Sequence, residues 1–180
     1  MADAPRGEDA VLVAVQRALA DRPGVLAAAR GLSHFGEHSL GWLAVAALGA
    51  VLSPRRRRDY VTAGAGALLA HAAAVVIKRV VRRQRPHHPA IAVNVGTPSR
   101  LSFPSAHATS TTAAAVLLVR PTGLPLPALL VPPMALSRLV LGVHYPSDVL
   151  AGVVVGAVVG KAVGSLGDTL ADRAEGMSSS

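Results

Sequence analysis

VTAGAGALLAHAAAVVIKRVVRRQRP, residues 61–86, decides how the rest of the chain is read. From Tyr60 to Ile77 there is no Asp, Glu, Lys or Arg; then Lys78, Arg79, Arg82, Arg83 and Arg85 follow in quick succession, closed by Pro86. A helix rises about 1.5 Å per residue and the hydrocarbon core of a bilayer is about 30 Å thick, so about 20 apolar residues cross it. The run reads as a transmembrane helix that emerges into a basic collar.

Four more runs share this character: Ser39 to Ser53, stopped by Pro54 and Arg55 to Arg58; Ala106 to Val119; Gly123 to Val143, interrupted by Pro125, Pro127, Pro132 and Pro133; and Ser147 to Leu166. The expected fold class is therefore all-α, a polytopic membrane helix bundle with about five transmembrane helices plus an N-terminal amphipathic helix. That first helix is expected at the interface, because Val11, Leu12, Val15 and Leu19 share a face while Gln16, Arg17, Asp21 and Arg22 interrupt the run. Residues 1–31 are assigned to this interfacial segment, 32–166 to the transmembrane domain and 167–180 to a polar, disordered tail. No signal peptide is evident, and the first span is expected to insert as its own signal. Gly152, Gly156 and Gly160 recur every four residues, a small-residue seam for close helix contact, either within the chain or in a homo-oligomer.

Composition supports a membrane protein. The 180 residues suffice for one domain, and 18 Lys and Arg against 10 Asp and Glu give a net charge of +8, yet 51% of residues are hydrophobic. Mean hydropathy is +0.44. Solvated polycations that bind nucleic acid are poor in apolar residues, so no nucleic-acid partner is expected. The absence of Cys excludes a disulfide scaffold, a thiol nucleophile and thiolate zinc sites.

Ionisable residues at the ends of spans are functional candidates, because hydrocarbon makes buried charge costly. Threading the chain in and out of the bilayer brings three clusters to one membrane face. In the first, Lys78, Arg82 and Arg85 share a helical face at i, i+4 and i+7, while Arg79 and Arg83 on the other edge suit anionic lipid head groups. The second, Phe103-Pro104-Ser105-Ala106-His107, is a helix start, where free backbone N–H groups favour a phosphate, Ser105 adds a hydroxyl and His107 is placed to transfer a proton. In the third, Arg138 offers a bidentate fork, and Asp148 stands four residues after His144. That carboxylate can hold one ring nitrogen protonated and leave the other as a nucleophile. Cations, a nucleophile and an acid are what phosphoryl transfer needs, and no metal or cofactor is called for.

Lys78-x6-Arg85-Pro86, Pro104-Ser105-Ala106-His107 and Ser137-Arg138-x5-His144-x3-Asp148 together resemble the three motifs of the type 2 phosphatidic acid phosphatase (PAP2) superfamily. The resemblance implies catalytic roles for His144, Asp148 and His107, and phosphate binding by Lys78, Arg85, Ser105, Ala106 and Arg138. It places Arg82 outside the motif, leaving it as a head-group contact alongside Glu37, His38 and Asn94. Ala106 stands where the family has Gly; if that position is helical, a methyl group fits.

Ser33 to Trp42 and Asn94 to Thr112 are most similar to small actinobacterial members of the superfamily. That likeness implies a multi-pass enzyme of the cell membrane, acting in cell-wall arabinan precursor synthesis on a polyprenyl-phosphate lipid whose sugar carries the scissile phosphomonoester. Prenyl diphosphates and phosphatidic acid suit the same charges, and so does a non-catalytic binder of anionic lipids. Vanadium haloperoxidases share the motifs but are larger and soluble.

Three smaller features complete the reading. His34-Phe35-Gly36-Glu37-His38 spells H-x-x-E-H, but Gly36 weakens the helix a zinc protease would need, so a polar turn is expected. His71, two turns deeper than Lys78, is assigned an interhelical hydrogen bond. Asn94, Thr97, Ser99, Arg100 and Ser102 are read either as a lid over sugar hydroxyls or as an ordinary solvated loop.

Overall fold

The computed structural model describes residues 4–178, and every regular element among them is helical. In chain order these are α1 (Gly7–Leu19), α2 (Val25–Gly36), α3 (Leu40–Leu52), α4 (Arg57–Val81), α5 (Ala106–Thr122), α6 (Leu126–Val140) and α7 (Pro146–Ser178), with single 3-10 turns at Glu37–Ser39 and Pro54–Arg56. α5 is the axis: α4, α6 and α7 all pack on it. Its sequence explains this position. From Ala106 to Val119 it carries no full charge, and its hydroxyls are absorbed internally: Thr109 donates to the Ser105 carbonyl and Thr112 to that of Ala108, each at 2.8 Å. Small side chains then let neighbouring backbones approach. Trp42, Ala63, Ala67, Ala114, Leu117 and Leu118 fill the core between α3, α4 and α5, and the Trp42 indole donates to Thr111.

The outward faces carry Leu48, Val61, Leu68, Val76, Leu129, Val154 and Val158, all exposed. An apolar surface of this extent suits hydrocarbon rather than water. Three helical segments, Val25–Leu52, Pro54–Val81 and Pro146–Ala174, are long and apolar enough to cross a membrane, and α6 is a shorter apolar helix that runs through Pro132 and Pro133.

Two expectations are corrected. The N-terminal segment is two helices rather than one, divided at Pro23 and at Gly24, whose φ is +80°. It is also integral to the bundle, and a boundary at residue 31 would cut α2. Leu12 and Val13 are buried against Ile91, and Gln16 is the reason α1 stays: it donates to the carbonyls of Ala92 and Val140 and accepts from the Ala92 amide.

Second, α7 continues through the segment assigned to a disordered tail; residues 179 and 180 lie outside those described. Residues 167–178 contain no proline, and contacts tie their start down: Arg58 donates to the Gly167 carbonyl and Arg120 pairs with Asp168. Of the two alternatives for the glycine seam, contact within the chain is the one observed. A Cβ on Gly152 would lie 2.7 Å from the Ser105 carbonyl oxygen and one on Gly156 would overlap that of Thr109, so the seam forms the α5–α7 contact. Arg56, Arg57 and Arg58, which follow the first apolar run, are bonded within the protein. They donate to the carbonyls of Pro121, Ala50 and Gly167; the first two are acceptors near the ends of α5 and α3, and the third lies within α7.

Replacing Gly156 by Leu forces α7 away from α5 and is expected to cost about 1–3 kcal/mol, the usual range for overpacking. Thermal unfolding of the detergent-solubilised protein measures it, and an unchanged midpoint would contradict the backbone contact described.

Candidate active site

The C-terminal ends of α4 and α6 and the N-terminal ends of α5 and α7 meet around one cavity of about 570 Å³. Lys78, Arg85, Ala106, His107, Arg138 and His144 line it, and so do Glu37, His38 and His71. The three sequence clusters therefore do converge.

Each cation is held by neutral acceptors. Lys78, on the last turn of α4, donates to the carbonyls of Leu101 and Ser102 at 3.2 and 2.9 Å. Arg138, only 2% exposed, donates to Ser137 Oγ and to Ser33 Oγ, each at 3.1 Å. Arg85 arrives differently from the helical-face expectation. α4 ends at Val81, and Arg82 takes a left-handed conformation with φ of +54°, so the chain turns before Arg85. An antiparallel bridge between Gln84 and Leu101, with the Arg85 amide on the Arg100 carbonyl and the Ser102 amide on that of Arg83, then folds residues 82–105 back over the cavity. From there Arg85 donates to the carbonyls of Ser99 and Val143 at 2.8 and 2.6 Å, and its Nη1 lies 3.2 Å from His144 Nε2.

That last contact fixes the His144 tautomer. A guanidinium only donates, so Nε2 carries the lone pair and Nδ1 the proton. Nδ1 has no hydrogen-bond partner; the nearest carboxylate oxygen, Asp148 Oδ2, is 3.7 Å away. Burial, and then the Arg85, Lys78 and Arg138 cations and His107, hold the imidazole well below its ordinary pKa. It is neutral at physiological pH, with its Nε2 lone pair among the cations. Burial also pushes Arg85 down to about 10, against the opposing pull of Asp148, which leaves it charged.

His107 Nε2 donates to the Ser33 carbonyl at 2.9 Å, leaving Nδ1 free. The ring sits where a Cβ on Gly36 would be, 2.6 Å from Cδ2, so the glycine that spoils the H-x-x-E-H pattern makes room for His107. α2 ends at Gly36, and His38 and Ser39 have positive φ, so the motif spans a break rather than one helix.

Several expected residues stand elsewhere. Ser105 is fully buried, does not line the cavity, and its Oγ accepts from the Ala108 amide as the N-cap of α5. Asp148 is fully buried behind His144, its Oδ2 accepting from the Tyr145 amide. Arg82 is exposed and Asn94 is tied to the end of α6 through its amide on the Leu141 carbonyl, and neither lines the cavity. Thr97 and Ser99 line the cavity, whereas Asn94, Arg100 and Ser102 do not. His71 Nδ1, assigned an interhelical hydrogen bond, has none; its ring lies 5.9 Å from that of His38. Arg79 lines the cavity, and Arg83, assigned to lipid, instead donates to Asp148 at 2.9 Å. The sequence reading also missed Ser33, which serves both His107 and Arg138 and opens the polar run Ser33 to His38.

The model of the PAP2 superfamily matches residues 59–169. The chain belongs to that superfamily. As a PAP2 member it is a hydrolase of phosphate esters. It is 79% identical over 152 residues to the decaprenylphosphoryl-5-phosphoribose phosphatase of Mycolicibacterium smegmatis, covering 84% of each chain. To the protein of that name from Mycobacterium tuberculosis it is 76% identical over 150 residues, covering 83% of this chain and 85% of the relative. The fold is that of two crystal structures. One is the transmembrane PAP2 type phosphatidylglycerolphosphate phosphatase from Bacillus subtilis, with a TM-score of 0.68 at 22% identity over 89% of this chain and 86% of that one. The other is Aquifex aeolicus LpxE, with a TM-score of 0.63 at 18% identity over 86% and 92%.

Ala106 is the first residue of α5 and does not have positive φ, so the PAP2 glycine is not required there for its backbone freedom. Ala106→Gly is expected to keep near wild-type phosphatase activity while costing at most about 0.5–1 kcal/mol at the helix start. Measured turnover that collapses in this variant would contradict that account.

Proposed function

We propose that the chain removes the 5-phosphate from decaprenylphosphoryl-5-phosphoribose in the cell membrane, yielding decaprenylphosphoryl-ribose for cell-wall arabinan synthesis. The observation that carries the reading is the lining of the cavity described above. It gathers Lys78, Arg85 and Arg138 with His107 and His144, it carries in addition the polar side chains of Glu37, His38, Thr97 and Ser99, and apolar helix faces flank the bundle. A phosphosugar fits the two sets of lining residues and a polyprenyl tail the apolar faces. The identity to the mycobacterial relatives over most of both chains supports the same substrate.

In this reading a phosphate displaces the weak claims on the cations: Lys78, Arg85 and Arg138 turn from carbonyl and hydroxyl oxygens to phosphoryl oxygens, and the free amides at the start of α5 add to them. Moving Arg85 onto the substrate uncovers His144 Nε2. Its lone pair attacks phosphorus, the bond to the ribose oxygen breaks, and that oxygen takes the Nδ1 proton of His107, which enters the step as the imidazolium, having taken up a second proton together with the anionic substrate while its Nε2–H stays on the Ser33 carbonyl. Asp148 offsets the positive charge of the phosphorylated imidazole. Water then attacks phosphorus, loses its proton to His107 and releases inorganic phosphate, restoring His144. Glu37 and His38 contact the sugar. The block Arg55 to Arg58 faces the cytoplasm and the cavity faces outward.

A panel of prenyl-phosphoribose, prenyl diphosphate and phosphatidic acid substrates tests class and substrate together. Phosphate release is expected to be fastest from prenyl-phosphoribose, to survive chelators, and to fall by about three orders of magnitude or more in His144→Ala. Preference for phosphatidic acid would refute the substrate, and an active His144→Ala would refute the mechanism. For sidedness, a Cys introduced at Ser99 should react with an impermeant thiol reagent added to intact cells; protection there would reverse the orientation.

A further inference from the structure

Arg83 sits in the basic collar, yet both terminal nitrogens of its half-buried side chain are bonded within the protein. Nη1 donates to Asp148 Oδ1 at 2.9 Å and to Ser147 Oγ at 2.6 Å, and Nη2 donates to Glu8 Oε2 at 2.6 Å. The guanidinium carbon lies 4.2 Å from the centroid of the Tyr145 ring, a cation–π contact. Glu8, on the first turn of α1, closes the arrangement: its Oε1 accepts the Ser147 amide at 2.8 Å, one of the free N–H groups at the start of α7. Three stretches distant in sequence, α1, the turn after α4 and the segment 145–148, are thus joined around the carboxylate beside His144.

We infer that Arg83, backed by Glu8, is a positioning residue for phosphoryl transfer, orienting the Asp148 carboxylate toward His144 and setting how much of its charge acts on the ring. The inference rests on the proposed roles of His144 and Asp148. Its geometric basis is the division of labour between the two carboxylate oxygens. Oδ1 is held by Arg83, while Oδ2 takes the Tyr145 amide and faces His144 Nδ1 at 3.7 Å. One arm of a guanidinium whose other arm is fixed on Glu8 holds the first oxygen and an amide holds the second, so rotation of the carboxylate would break both bonds.

Charge explains why Glu8 belongs to the device. An unshared guanidinium would cancel Asp148 just when the ring becomes positive. Shared between two carboxylates, Arg83 leaves the trio at net −1. Hydrogen bonds from Arg83 and Ser147 overcome the effect of burial and hold Glu8 below the usual carboxylate range, so it carries its charge. The other charged or titratable groups around His144 are Lys78 from α4, Arg85 from the following loop, His107 from α5 and Arg138 from α6. All of these except His107 are cationic, and Asp148 is the one carboxylate beside the ring, so its orientation has a large effect on a positively charged intermediate.

The test measures kcat, KM and thermal midpoint in the full detergent-solubilised chain for Arg83→Gln, Arg83→Lys, Glu8→Gln and the Glu8→Gln/Arg83→Gln double variant, with His144→Ala beside them. Arg83→Gln is expected to lower kcat by roughly 10–100-fold, the usual cost of losing a group that orients a functional side chain, with KM changed by less than about threefold. Arg83→Lys, which keeps a cation without the fork, should recover part of the loss. Glu8→Gln should lower kcat less, and the double variant should be no worse than Arg83→Gln, because the two act through one carboxylate. Wild-type kcat in Arg83→Gln, a loss confined to KM, or multiplied losses in the double variant would overturn the inference. Should Arg83→Gln not fold, Glu8→Gln decides: reduced kcat at unchanged KM and midpoint supports it, and wild-type kcat overturns it. Turnover retained in His144→Ala overturns the underlying mechanism and this inference together, whereas an inactive His144→Ala beside a fully active Arg83→Gln overturns the inference alone.

Discussion

Three cations held together in a bundle of apolar helices, with no fixed carboxylate paired to any of them, is the constraint around which the molecule is built. Charges of one sign repel more strongly as water is excluded, and each must also replace its hydration. The chain meets that cost with neutral oxygens: Leu101 and Ser102 for Lys78, Ser99 and Val143 for Arg85, Ser33 and Ser137 for Arg138. Nearly every non-helical stretch near the cavity supplies one of these acceptors. The irregular course of residues 82–105 is therefore functional in shape, since a regular helix would have used its carbonyls internally.

This constraint also accounts for the N-terminal segment. A helix lying on the bilayer would have satisfied the apolar stripe of α1, yet α1 and α2 are drawn onto the bundle because they bring polar groups that the centre lacks. Ser33 serves Arg138 and His107, and Gln16 anchors the loop at Ala92. The amphipathic pattern identified a helix correctly but could not show that its polar residues face inward, because periodicity weighs polarity without regard to what a buried polar atom will find as a partner.

Much of the fold was legible for a simple reason: hydrocarbon forces backbone hydrogen bonds inside a helix, so an apolar run bounded by charge has few alternatives. The convergence of Lys78, His107, Arg138 and His144 followed from counting crossings. What escaped was set by single dihedral angles or by distant partners. Arg82 looked equivalent to Lys78 and Arg85 until a left-handed residue ended α4. Arg83 looked like a lipid contact because its acceptors come from residues 8 and 148. Ser105 looked like a ligand for phosphate, whereas its hydroxyl caps the helix that presents the site. Residues 167–178 looked solvated because their ties to Arg58 and Arg120 are tertiary.

One backbone hydrogen bond has wider meaning. The Ser105 amide donates to the Asp148 carbonyl at 2.9 Å, directly beside the place where Gly152 brings α7 against the same turn. The starts of α5 and α7 are thus registered main chain to main chain, and the offset between His107 and the His144–Asp148 pair does not depend on which side chains surround them. The bundle behaves as a fixed jig with an interchangeable wall: residues 37–38 and 95–98, which line the cavity without holding a reacting group, could be rebuilt to admit a different head group while the reacting groups keep their spacing. A lineage, or a protein engineer, could change what this scaffold dephosphorylates without re-evolving how it does so.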